Sequence, residues 1–147
     1  MKIKTRSLSA QRRAWVRPRV LKVITRRPDL ARIRRRLLAL GGEEVQIWAQ
    51  AYGPEEAELL WQYGQLWSPK KLEYRLGAPC HCFDNSQLLA DEGCGDLIYG
   101  FGLSRDGLWR PHAWVWLEDR ILETTAKRLI YYGFNFTQLV RKGLFHS

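Results

Sequence analysis

Pro79-Cys80-His81-Cys82-Phe83-Asp84-Asn85-Ser86-Gln87-Leu88-Leu89-Ala90 sets a cysteine, Cys82, at the mouth of a helix. Leu88 and Leu89 supply an apolar face, Asp84, Asn85 and Ser86 crowd the first turn, and Gly93 stops it. A helix start leaves N–H groups unpaired and carries about half a positive charge, which favours a thiolate. Such a position lowers a cysteine pKa and makes a nucleophile. Further on, Pro111-His112-Ala113-Trp114-Val115-Trp116-Leu117 reads as a strand opening with a histidine. After a short turn, Ile121-Leu122-Glu123-Thr124 reads as the next strand, carrying a carboxylate. Together these are the ingredients of a Cys-His-acid triad.

The surrounding chain has the composition of one compact domain with a possible N-terminal appendage. Its 147 residues are 46% hydrophobic and include seven Trp, which supports a real core and excludes a wholly disordered chain. No apolar run approaches the roughly 18 residues of a membrane span, and no signal peptide is evident, so no membrane partner is expected. Cys80, Cys82 and Cys94 are odd in number and clustered, unlike a secreted disulfide framework. A cytoplasmic protein with reduced thiols is the expectation.

Charge divides the chain. Residues 1–42 hold fourteen Lys and Arg against one acid, Asp29, whereas residues 43–147 hold ten against fourteen. The basicity of the whole, a formal +9, therefore belongs to the N-terminal third. We divide the chain into a basic N-terminal helical region, 1–42, and an α+β body, 43–147. The basic region is expected to pack against the mildly acidic body or to serve nucleic acid or an acidic partner.

Within 1–27, residues 20–24 have the makings of a short strand, since Pro18 and Pro28 bracket them and argue against one long helix. Pro28-Asp29 opens a helix whose Leu30, Ile33, Leu37 and Leu40 follow helical spacing, and Gly41-Gly42 ends it. Arg32, Arg34, Arg35 and Arg36 on its other face are candidate contacts to nucleic acid or a partner, or simply a solvated face. Residues 43–52 suit a helix tail or a strand. Gly53-Pro54-Glu55-Glu56 starts a helix that runs to about Trp67, with Trp61 and Trp67 reading as core rather than as a stacking platform. Residues 70–76 form a basic connector. Beyond the cysteine helix come a strand at 96–104, a hairpin turn at Arg105-Asp106-Gly107, and a returning strand at 109–117. A strand follows at 121–125, then a strand or loop at 127–136 and a C-terminal helix near 137–142. Helices first and then an antiparallel sheet make the fold class α+β.

A helix-borne Cys, then a strand with His, then a strand with an acid resembles papain-like and transglutaminase-like cysteine enzymes. Cys82-Phe83-Asp84-Asn85-Ser86, Tyr99-Gly100-Phe101-Gly102, His112-Ala113-Trp114-Val115, Ile121-Leu122-Glu123-Thr124-Thr125 and Tyr131-Tyr132-Gly133-Phe134-Asn135-Phe136 resemble a group of small bacterial and phage proteins within that range. The likeness spans about residues 79–136. It implies a thiol-dependent hydrolase (peptidase, amidase or deamidase) or acyltransferase acting on an amide bond. Cys82 is the implied nucleophile, His112 the base and Glu123 the orienting acid, with Asn85 and Trp114 in support. Glu123 departs from the group's Asp-Pro and is one methylene longer. The oxyanion would meet the Cys82 N–H and one more donor, with the 62–65 region a candidate.

Three other readings compete. The same fold can serve as a catalytically inactive scaffold for a basic binding protein. Cys80, His81, Cys82, Cys94 and His112 offer zinc ligands, but adjacent Cys-His-Cys lacks the usual knuckle spacing, so no metal and no cofactor are assigned. Trp114 and Trp116 share one face of their strand, to wall the site or fill the core.

Overall fold

The computed structural model describes residues 5–48 and 52–144. Among these, the chain order is α1 (Ala10–Ile24), α2 (Pro28–Leu40), β1 (Glu44–Val45), α3 (Pro54–Tyr63), β2 (Gln65–Leu66), β3 (Lys71–Tyr74), α4 (Cys82–Asp91), β4 (Asp96–Leu103), β5 (Leu108–Leu117), β6 (Arg120–Glu123), β7 (Ile130–Asn135) and α5 (Phe136–Arg141). The class is α+β. Residues 49–51 of the ambiguous 43–52 segment lie outside the described residues, and the rest of it contributes β1.

Local chemistry explains most boundaries. Pro28 occupies the first turn of α2 with Asp29 behind it, and Pro54 with Glu55 and Glu56 does the same for α3. Gly107 at φ +89° makes the β4–β5 turn, donating its N–H to the Ser104 carbonyl. The β5–β6 turn is tighter and carries two non-glycine residues in the left-handed region, Glu118 (φ 49°) and Asp119 (φ 63°).

Three expectations are corrected. Residues 20–24 are not a strand: α1 runs straight through Pro18. Val16 and Val20, one helical turn apart, are both buried, and this tertiary packing outweighs one missing backbone bond. Pro18 itself is exposed, and the neighbouring Trp15 carbonyl accepts from the Arg19 guanidinium at 2.7 Å. The third helix stops at Tyr63, four residues early, with Gly64 at its end. Residues 70–76 are not a connector but contain β3, which pairs parallel to β6.

The sheet is therefore mixed rather than purely antiparallel. Its path is β2-β7-β4-β5-β6-β3, with β1 pairing parallel to β5. The two ends of that path, β2 and β3, are joined by residues 67–70 alone. So short a link rolls the sheet, and residues at both ends, Trp67 and Leu72, pack on one inner cluster with Ile98, Trp114, Ile121 and Tyr131. Gly100 and Gly133 face each other across β4 and β7, and a Cβ on Gly100 would lie 1.9 Å from the Tyr132 carbonyl oxygen. Only glycine permits that approach.

The outer face carries the larger core. Val16, Val20, Ile33 and Leu37 from the first two helices join Leu60, Phe101, Leu103, Trp109 and Phe134 in a single cluster. The basic N-terminal region is thus seated on the sheet. No helix among the described residues is long and apolar enough to cross a membrane.

Candidate functional site

The cysteine helix lies against β5 and begins at Cys82, which is buried. Its entry is set by the preceding turn. Cys80 takes φ 63°, an unusual left-handed conformation for a residue with a Cβ, and turns the chain into the helix. Asn85, one turn beyond Cys82, donates from its side chain to the Ala78 carbonyl at 2.9 Å, tying that turn to the helix. The Asn85 side chain is thus directed at the backbone and not at the thiol.

On β5, successive side chains alternate, so His112, Trp114 and Trp116 share one face and Ala113 takes the other. His112 and Glu123 are both fully buried, and His112 Nε2 lies 2.9 Å from Glu123 Oε2. The carboxylate has further partners. The Tyr131 hydroxyl donates to Oε2 at 2.7 Å, and the Thr125 N–H and hydroxyl donate to Oε1 at 3.3 Å each. Trp114 stacks on the imidazole with ring centroids 5.8 Å apart, and Tyr131 flanks both rings. Trp116 pairs with Trp67 at 5.0 Å. Of the two tryptophans, Trp114 is fully buried in the inner cluster, where it also lies on His112, and Trp116 is half-buried at that cluster's margin.

These contacts fix protonation states. Burial pushes the Glu123 carboxyl upward, but the hydrogen bonds from His112, Tyr131 and the Thr125 amide pull it down, and the pKa lies below the ordinary carboxylate value. Burial dominates at His112 and lowers its pKa against the pull of Glu123, which favours the neutral imidazole. An ionised carboxylate only accepts, so the ring proton sits on Nε2 and the lone pair on Nδ1. His112 Nδ1 is buried and has no hydrogen-bond partner.

The thiol departs from expectation. Burial pushes the Cys82 pKa up, and the Ala113 and Phe83 N–H groups and the Arg128 charge, which favour the thiolate, do not overcome it. The lowered thiol pKa expected from the helix start is thus corrected: desolvation exceeds the contributions that favour the thiolate. The β5–β6 ladder ends at the Val115–Leu122 pair, and beyond that end the Ala113 amide lies near enough to Cys82 to favour its thiolate. No hydrogen bond joins Cys82 to His112 in this conformation. The structure thus joins His112 to Glu123 and sets Cys82 against the amide next to His112.

Gln62 donates to Glu58 on its own helix, and Gln65 is exposed on β2. Tyr131, Thr125 and Ser86 were not singled out from sequence. Ser86 sits one turn below Cys82, fully buried, with its hydroxyl unpartnered. Its i+4 spacing from Cys82 was the available signal.

The α2 arginines are mostly engaged. Arg34 grips Glu44 through two bonds of 2.6 and 3.1 Å. Arg32 pairs with Glu58, and Arg36 donates to the Trp61 carbonyl and the Tyr132 hydroxyl while lying 3.5 Å from the Trp61 ring. Arg35 is exposed. The three cysteines are free thiols, and no group of three or more His, Cys, Asp or Glu among the described residues is placed to hold a metal.

Comparison with protein-family models, with curated proteins and with solved structures yields no match to this chain.

Proposed function

We propose that the protein is a thiol-dependent acyl-transfer enzyme of papain-like or transglutaminase-like type, acting on an amide bond, with hydrolysis as the favoured outcome. The observation that carries this reading is His112: Nε2 anchored on Glu123, Nδ1 bare, and the strand's next amide meeting the Cys82 sulfur. A raised thiol pKa and a lowered imidazole pKa favour general-base activation over a resting ion pair. As Cys82 Sγ attacks a carbonyl carbon, its proton passes to Nδ1. The imidazolium, held by Glu123, then returns that proton to the leaving amine. Water, deprotonated by the same nitrogen, cleaves the thioester. The Cys82 N–H, at the helix start, would donate to the oxyanion.

A second reading, an inactive scaffold, draws on the complete burial of His112.

Incubation with p-nitrophenyl acetate, followed by peptide mapping, tests the enzyme reading. A thioester is expected on Cys82 in preference to Cys80 and Cys94, with acylation slowed about 10²-fold or more in His112→Ala. Acetylation spread over all three thiols and indifferent to His112 would remove the catalytic reading.

A further inference from the structure

The strongest positive surface lies on α1, not on the α2 arginines that the sequence singled out. With Val16 and Val20 turned into the core, Arg12, Trp15, Arg19 and Lys22 of α1, and Arg26 just past its end, recur at steps of three and four, one row flanking the buried face. From Arg12 to Lys22 that row covers about 15 Å. The first turn of α1 holds no acid, and among the described residues none of the four cations forms an ion pair. Arg12 lies near enough to Asp106 to help lower its pKa, but that carboxylate is gripped by Arg110.

Trp15, a residue 49% exposed, interrupts the row. The Arg19 guanidinium lies 3.6 Å from the ring centre, and Trp48 meets it edge-on at 5.8 Å. A cleft of about 480 Å³ borders this pair on the side of Arg12 and Gln46. Another of about 450 Å³, which shares Trp48 but not Trp15, is lined by Arg19, Lys22 and Arg26. The result is a cationic groove with an indole at its midpoint.

We infer that this groove binds single-stranded nucleic acid, phosphates against the cations and a base against Trp15. A single strand offers both a regular line of negative charge and unpaired π faces, which together match a basic groove holding an exposed aromatic ring. A duplex keeps its bases stacked, and an acidic protein or a lipid surface has no base to place on the indole. This surface is independent of the cysteine site.

Fluorescence anisotropy of a labelled 15-nucleotide oligo(dT), titrated with the full chain over a salt series, tests the inference. Binding is expected to weaken with salt. The triple variant Arg12→Ala/Arg19→Ala/Arg26→Ala should lower the magnitude of the logarithmic salt slope by about 2, at about 0.7 per phosphate released. Trp15→Ala should weaken binding at least fivefold and Trp15→Phe less. All these side chains are exposed, so folding is expected to persist, which circular dichroism verifies. Arg35→Ala should change affinity less than twofold. No binding at 50 mM salt, or equal binding by the α1 variants, overturns the proposal. So does equally tight binding of a 15-base-pair duplex, polyglutamate or anionic phosphatidylglycerol vesicles.

Discussion

Glu123 governs the chemistry of the buried network because it accepts from three side chains at once. Of these, the Tyr131 hydroxyl bonds a charged, buried acceptor, which makes it expensive to lose. Tyr131→Phe should destabilise the protein by about 1.5–3 kcal/mol in urea unfolding while preserving ring packing. Acid should act on the same network in a defined direction. His112 has a lowered pKa when folded, so below the unfolded value of about 6.5 the unfolded chain binds the extra proton and stability falls. Glu123 also has a lowered folded pKa, so its contribution is present above the unfolded value of about 4.3 and is lost as pH falls through the folded one. Both move stability the same way. The urea midpoint should decline from about pH 6.5 downward, and His112→Gln should flatten the part between about pH 6.5 and 5. Cys82, His112 and Glu123 were legible in the sequence as residues worth watching, because helix start, strand and strand follow from local pattern. The raised thiol pKa was not, since the depth of burial depends on what α4 lies against. Tyr131 was hidden for a simpler reason: a tyrosine in an aromatic strand reads as core.

Helix α1 shows where local rules yield to packing. Proline at an interior position costs a helix about 3 kcal/mol relative to alanine, and it made residues 20–24 read as a separate strand. The buried Val16 and Val20 keep the helix whole. Pro18→Ala should therefore raise stability, by up to about 3 kcal/mol, read as an upward shift in the thermal midpoint without change in the far-UV signal. Strand β3 was missed because Lys71-Leu72-Glu73-Tyr74 is short and charged, and only its parallel register with β6, Leu72 opposite Ile121, gives it strand character. By contrast, α2, α3 and α4 declared themselves through proline, acids and glycine placed where helix ends need them.

The division of charge between residues 1–42 and the remainder does not correspond to two separate cores. Ile33 and Leu37 of α2 bury their side chains in the cluster that holds Leu103, Trp109 and Phe134. Arg34 and Arg36 add charge-assisted bonds to Glu44 and the Trp61 carbonyl. A chain beginning at residue 43 should consequently fail to give a cooperative unfolding transition and should bind a hydrophobic dye, whereas the full chain melts in one step.

The short link between β2 and β3 carries a consequence for behaviour at high concentration. Open sheets aggregate by pairing edge to edge, and protection comes from short, charged or covered rims. Here the two rim strands are Gln65–Leu66 and Lys71–Tyr74, one only two residues long and the other bearing Lys71 and Glu73. Residues 67–70 draw those rims toward each other, so neither offers a long template to a neighbouring chain. A sheet rich in tryptophan and tyrosine is thereby kept from polymerising through its own backbone.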